Sequence, residues 1–257
     1  MPLLDISSQT WVVAVLLLAG RLAGLLLLAP PLSAAFIPLS VRTAVVVVLA
    51  ACLAVVPTGA ATSISLSVGF LLVAFLKEVA LGATMALGVS LAFGAFAVGG
   101  RLLDVQIGFG IGQVFDPLTR QQLPILSAVF NLLALVTFFS ADVHQTLLRG
   151  FVLSIDAFPV GGSWPAGHVV TPLIQQTAAS FSLGFAMVAP VVLCLLLVEV
   201  SLSVLARNMP QMNMFALAIP VKVIVGLGAL SISIVGIASI LSRVNSTIFK
   251  AWEAMFR

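Results

Sequence analysis

Glycine alternates with Ile and Phe in DVQIGFGIGQVFDPLTRQ, Asp104 to Gln121, and such spacing suits chemistry done by exposed backbone groups. A dinucleotide cradle needs G-x-G-x-x-G after a strand and before a helix, so that backbone donors and a helix N-terminus hold pyrophosphate. Gly108, Gly110 and Gly112 instead run G-x-G-x-G after a helix-like stretch. A phosphate loop would be followed by Lys-Ser or Lys-Thr, and no such pair follows. The IGFG core invites comparison with an ion-selectivity filter, whose carbonyls replace the hydration shell. The threonine of such filters is missing, however, and Ile111 stands where they usually carry Asp. Two readings stay open on these residues. One is a plain connection between helices. The other is a plug: glycine permits tight, positive-φ backbone, Ile107, Phe109 and Ile111 supply apolar tips, and an apolar constriction excludes water and ions. Asp116-Pro117 would end either structure.

Other chemistry has few residues to use. His144 and His168 are far apart and neither has a second ligand at helical spacing, so they read as solvated side chains beside loops. No Ser-His-Asp set emerges. Glu78 and Glu199 fall inside apolar runs, where an acid serves a proton relay or pairs with a Lys or Arg from another helix. Lys77 precedes Glu78, but sequence neighbours do not face each other on a helix, so each needs its own partner or an exit from hydrocarbon.

The elements that must position these residues are almost entirely apolar. Of 257 residues, 61% are hydrophobic and 7% charged, and the mean hydropathy is +1.27. No water-facing surface of ordinary polarity can be built from this composition, which predicts an integral membrane protein of about six helices, all-α and in a single domain. The formal charge of +3 is scattered, without a basic block for nucleic acid or a lipid anchor. Cys52 and Cys194 sit in apolar runs and read as small hydrophobes. The start, MPLLDISSQTWVV, lacks the basic region of a cleaved signal, so the first helix is expected to be retained.

Apolar runs cover residues 11–29, closed by Pro30-Pro31, and 41–57, closed by Pro57 and PTGAATS. Residues 65–100 exceed the roughly 20 needed for one crossing, and read either as two elements or as one helix that does not simply span. Within them Gly82, Ala86, Ser90 and Gly94 recur every four residues, a small-residue ridge for close helix packing, inside the chain or against another subunit. Pro124 to Ser140 is apolar, and the semi-polar stretch after it holds one short amphipathic piece and a Gly/Pro-rich loop. Runs 174–205 and 215–241 follow, separated by ARNMPQMN, where Pro210 breaks the helical pattern and Arg207, Gln211 and Asn213 offer donors and acceptors. Arg243, Lys250 and Arg257 make a basic tail, which the positive-inside rule assigns to the cytoplasm.

Five motifs in order then carry a resemblance. They are RLAGLLLLAPPLSAAFIPLSVR with Arg21, Gly24, Pro30, Pro38 and Arg42; KEVALG; DVQIGFGIGQVFDP; FPVG at Phe158 to Gly161; and LARNMPQMNMFALAIPVK, with Arg207, Pro210, Gln211, Asn213, Phe215 and Pro220 in register. Together they resemble the FliR family of bacterial flagellar export-gate proteins and its SctT relatives in virulence type III secretion systems. The resemblance implies a non-enzymatic, multi-pass subunit of the inner membrane at the flagellar basal body, without cofactor, metal, nucleic acid or small-molecule substrate. It implies assembly with FliP-type and FliQ-type subunits and an FlhB-type switch protein, around a pore that passes unfolded flagellar subunits. It also implies bent helical hairpins, displaced outward from the bilayer. By the same resemblance the loop of Ile107, Gly108, Phe109, Gly110, Ile111, Gly112, Val114, Phe115, Asp116 and Pro117 plugs the closed pore beside a methionine-rich ring from a partner, and the Pro210 hinge helps order the C-terminal hairpin against neighbouring subunits; the alternative for the hinge is capping of the loop within this chain. The wording of GFGIGQVFDP favours the flagellar branch over the virulence branch. An ion channel or secondary transporter is the alternative of a different class.

Overall fold

The computed structural model describes residues 8–33, 37–55, 67–109, 124–162, 164, 166–209, 211 and 213–256. Every regular element among them is a helix: α1 (Ser8–Leu28), the single turn α2 (Pro30–Ser33), α3 (Leu39–Leu53), α4 (Val68–Ile107), α5 (Ile125–Ser140), α6 (Val143–Ala157), α7 (Ala166–Asn208) and α8 (Met214–Phe256). Four of them are long and apolar enough to cross a membrane, or five if α5 and α6 count as one broken span. The protein is all-α and of membrane type.

Helix boundaries follow local chemistry. Proline opens α2 and precedes α3 and α5, positions where its missing N–H costs nothing. Asp142, at φ 52°, breaks the chain between α5 and α6, and its side chain and carbonyl serve Gln145 and Thr146 in the next turn. The overlong apolar run is one continuous helix, α4, of 40 residues. At 1.5 Å per residue it is about 60 Å long, roughly twice a bilayer's hydrocarbon thickness. The basic tail is helical as far as Phe256, within α8.

The chain packs as two compact units. The first holds residues 1–91, 142–176 and 248–257. In it α1 buries Leu17, Leu18, Leu22 and Leu25 completely and packs on α3. Its approach to α4 is close enough to require glycine. A Cβ at Gly82 would overlap the Arg21 carbonyl oxygen, and one at Gly24 would lie 2.6 Å from the Val79 carbonyl oxygen. Trp252 fills the other side of this unit, donating its indole N–H to the Met85 carbonyl at 3.2 Å. Glycine makes room for the ring: a Cβ at Gly150 would sit 2.7 Å from two of its carbons.

The second unit holds residues 92–141 and 177–247. Phe93 meets Phe96 and Phe138 at centroid separations of 6.2 and 5.8 Å, an edge-on arrangement with Phe138 that tightens α4 against α5. α4 and α7 touch at Gly184, where a Cβ would lie 2.5 Å from the Ala95 carbonyl oxygen. Much of α8 here carries its apolar side chains outward, Ile224 at 73%, Ile232 at 84% and Val235 at 80% exposure. A surface of that kind is stable against lipid or another protein, not against water.

Candidate functional site

Three polar centres stand out in the apolar setting. The first, in the first unit, is built on Arg21 of α1. Its Nε donates to Glu78 of α4, Nη1 to the Ser154 carbonyl at 2.9 Å and the Ser154 hydroxyl at 3.3 Å, and Nη2 to the Phe158 carbonyl at 2.9 Å. Ser154 lies in the last turn of α6, where carbonyls lack helical partners and a cation is favoured. The FPVG motif supplies the other partner. Pro159 to Gly162 form a turn closed by the Gly162 N–H on the Pro159 carbonyl at 3.0 Å, with Gly161 at φ 77°. That left-handed angle at the third turn position calls for glycine, and the Gly161 N–H donates to the second Glu78 oxygen at 2.8 Å. One ion pair thus joins α1, α4, the end of α6 and the turn beyond it. Lys77 is exposed, while Glu78 is buried.

The second unit holds the other two centres. Lys222 of α8 and Gln106 of α4 both donate to Glu199 Oε1 of α7, Gln106 at 3.4 Å. Nearby on the same helices, Ile107 is fully buried, and Gly226 leaves room for it: a Cβ there would lie 2.8 Å from the isoleucine and 3.5 Å from Leu195. Asp104, one turn earlier on α4, accepts from the Leu126 and Ser127 backbone N–H groups at 2.8 and 3.0 Å and from the Ser127 hydroxyl at 2.8 Å. Both acids found inside apolar runs are therefore paired with a cation from another helix.

Among the loop residues, Ile107 ends α4, Gly108 takes φ 98° and Phe109 is half-buried. Gly110, Ile111, Gly112, Val114, Phe115, Asp116 and Pro117 lie outside the described residues. On the small-residue ridge, Gly82 meets α1, Ala86 is buried and Ser90 donates back to the Ala86 carbonyl at 2.9 Å. Gly94 has open space where a Cβ would be. At the hinge, Arg207 closes α7 and is exposed, as is Gln211, and Pro210 is outside the described residues. Asn213 accepts from the Ala216 N–H at 3.3 Å, capping the start of α8. Phe215 falls in the first turn of that helix, and Pro220 lies inside it. His144, on α6, is half-buried and 4.0 Å from Asp142, and His168 is exposed on α7. Cys52 and Cys194 are free thiols, and Cys52 is exposed rather than buried among apolar neighbours.

The contacts of Asp104, Ser154 and Trp252 have no counterpart among the sequence motifs. A signal for Asp104 exists nonetheless. Pro124, before α5, has no side-chain acceptor, so the first amides of that helix need one from elsewhere.

A sequence model of the family described as "Bacterial export proteins, family 1" matches residues 12–248. The flagellar biosynthetic protein FliR of Bacillus subtilis is 32% identical over 169 residues, which cover 63% of this chain and 64% of that protein, a little under two thirds of its length. FliR of Caulobacter vibrioides is 26% identical over 90% of this chain and 92% of its own. The surface presentation of antigens protein SpaR of Shigella sonnei is 31% identical over 85% of this chain and 86% of its own. With helices of membrane-spanning length and a family match over nearly the whole sequence, the chain belongs to the bacterial export proteins of family 1, the FliR family, as a multi-pass subunit of a type III export gate.

Proposed function

We propose that this subunit forms part of the pore through which unfolded flagellar proteins cross the inner membrane at the basal body, and that the glycine-apolar loop from Ile107 to Pro117 plugs the pore at rest. Its partners in this reading are FliP-type, FliQ-type and FlhB-type proteins, and its role is non-enzymatic. The observation that supports the plug is the fixed base of the loop. α4 ends on a fully buried Ile107, set against Gly226, and the chain turns at Gly108 with positive φ just where the Gly-Ile-Phe alternation begins. Beyond that anchor glycine contributes no side-chain packing, so substrate displaces the loop at modest cost and the loop recloses.

The test deletes Gly110 to Val114, which spares the Ile107 anchor. The inner membrane should become leaky to small ions and dyes while the complex still assembles. An assembled complex that stays tight contradicts the plug.

The flagellar assignment is supported by the similarity to FliR proteins, which are named for flagellar biosynthesis. The SpaR similarity supports a virulence system as the second reading. A null strain separates them: loss of motility with filament loss fits the first, and motile cells that fail to secrete fit the second. A selective ion current carried by the purified chain alone would point to a channel instead.

A further inference from the structure

We propose that Asp104 is a positioning residue that clamps together the two ends of the glycine-rich loop. Its consequence for gating rests on the plug reading above, whereas the clamp itself rests on contacts among described residues. Asp104 is 4% exposed and sits three residues before the end of α4. Its two oxygens take three donors at the start of α5: Leu126 N–H, Ser127 N–H and Ser127 hydroxyl. A helix start with buried amides usually draws its acceptor from the residue just before it. Here that residue is Pro124, which has none, and the acceptor for Leu126 comes from 22 residues before it, on the far side of the loop. A carboxylate at a helix N-terminus also meets the positive end of the dipole, and its hydrogen bonds are charge-assisted.

Two neighbours on α4 reinforce the clamp. Gly100 lies one turn before Asp104, and a Cβ there would come within 2.5 Å of the Ser127 Cα, so glycine is what lets α5 approach closely enough for the carboxylate to reach. Ile107 lies one turn after, fully buried and seated against Gly226 of α8. Positions 100, 104 and 107 share one face of the helix. The loop between Ile107 and Pro124 therefore leaves from and returns to a base held on both sides.

Spin labels at Val105→Cys and Val129→Cys, both exposed positions on α4 and α5, read the base directly in protein purified with its accompanying subunits, with Cys52 and Cys194 replaced by Ala. Asp104→Ala should broaden and lengthen the distance distribution, Asp104→Asn should do so partially, and Ser127→Ala, which removes only the hydroxyl contact, should stay close to the parent. In cells, ion leak should rise several-fold in the same order. An unchanged distribution in Asp104→Ala overturns the clamp. Should that variant fail to accumulate, an unchanged distribution in Asp104→Asn overturns it equally. A broadened distribution without leak upholds the clamp and counts against the plug.

Discussion

Arg21 and Glu78 pair across 57 residues of chain with 1% and 4% of their side chains exposed, and between them they join α1, α4, the end of α6 and the turn beyond it. Removing one member of such a pair strands the other's charge away from water, at a cost of about 3–5 kcal/mol. Arg21→Leu should therefore lower the melting temperature of the purified protein steeply, and Glu78→Gln, which keeps the side chain's shape and one of the two acceptor oxygens that Arg21 and Gly161 use, should lower it less. Combining Arg21→Leu with Glu78→Leu should cost less than the sum of the two single changes. Additive losses would show that the pair is not coupled.

Gly82 and Gly94 lie on one small-residue ridge but should respond oppositely to alanine. At Gly82 the added methyl has no room against the Arg21 carbonyl, so α1 and α4 must separate, at a cost of about 1–3 kcal/mol. At Gly94 the space is open, and the better helix propensity of alanine should add up to about 1 kcal/mol. Thermal melting of the isolated chain checks both. If Gly94→Ala stabilises the chain and yet weakens co-purification of other subunits, that end of the ridge is a subunit contact.

Gly150→Val should displace Trp252, whose ring occupies the space a side chain would take. The indole then loses its hydrogen bond to Met85, and tryptophan emission should shift to the red, with a destabilisation of about 1–3 kcal/mol. Unshifted emission would mean that α6 moves instead of the indole.

Much of the architecture is legible in the sequence because it follows from local rules. Proline marks the starts of α2, α3 and α5, and apolar runs mark the helices themselves, since a bilayer rewards little else. The length of residues 65–100 announces that something other than a simple crossing is present, and the single 40-residue helix accounts for it. What stays hidden are contacts that no spacing encodes. Glu78 could pair with any of the chain's cations, and its neighbour Lys77 is a distraction that helical geometry only partly removes. Asp104 reads as one letter of a glycine motif, while its partners are amides 22 and 23 residues away. The ends of the glycine-rich loop are defined by buried contacts of Ile107 and Asp104, whereas the glycines between them are what the sequence makes conspicuous.

The central claim is that this chain works as one subunit among several in an export gate, and native mass spectrometry of the tagged protein, gently extracted from its own cells, tests it most directly. The account predicts a single copy within a large complex of other hydrophobic subunits. Release as a lone chain, or as a symmetric assembly of identical copies, would contradict it.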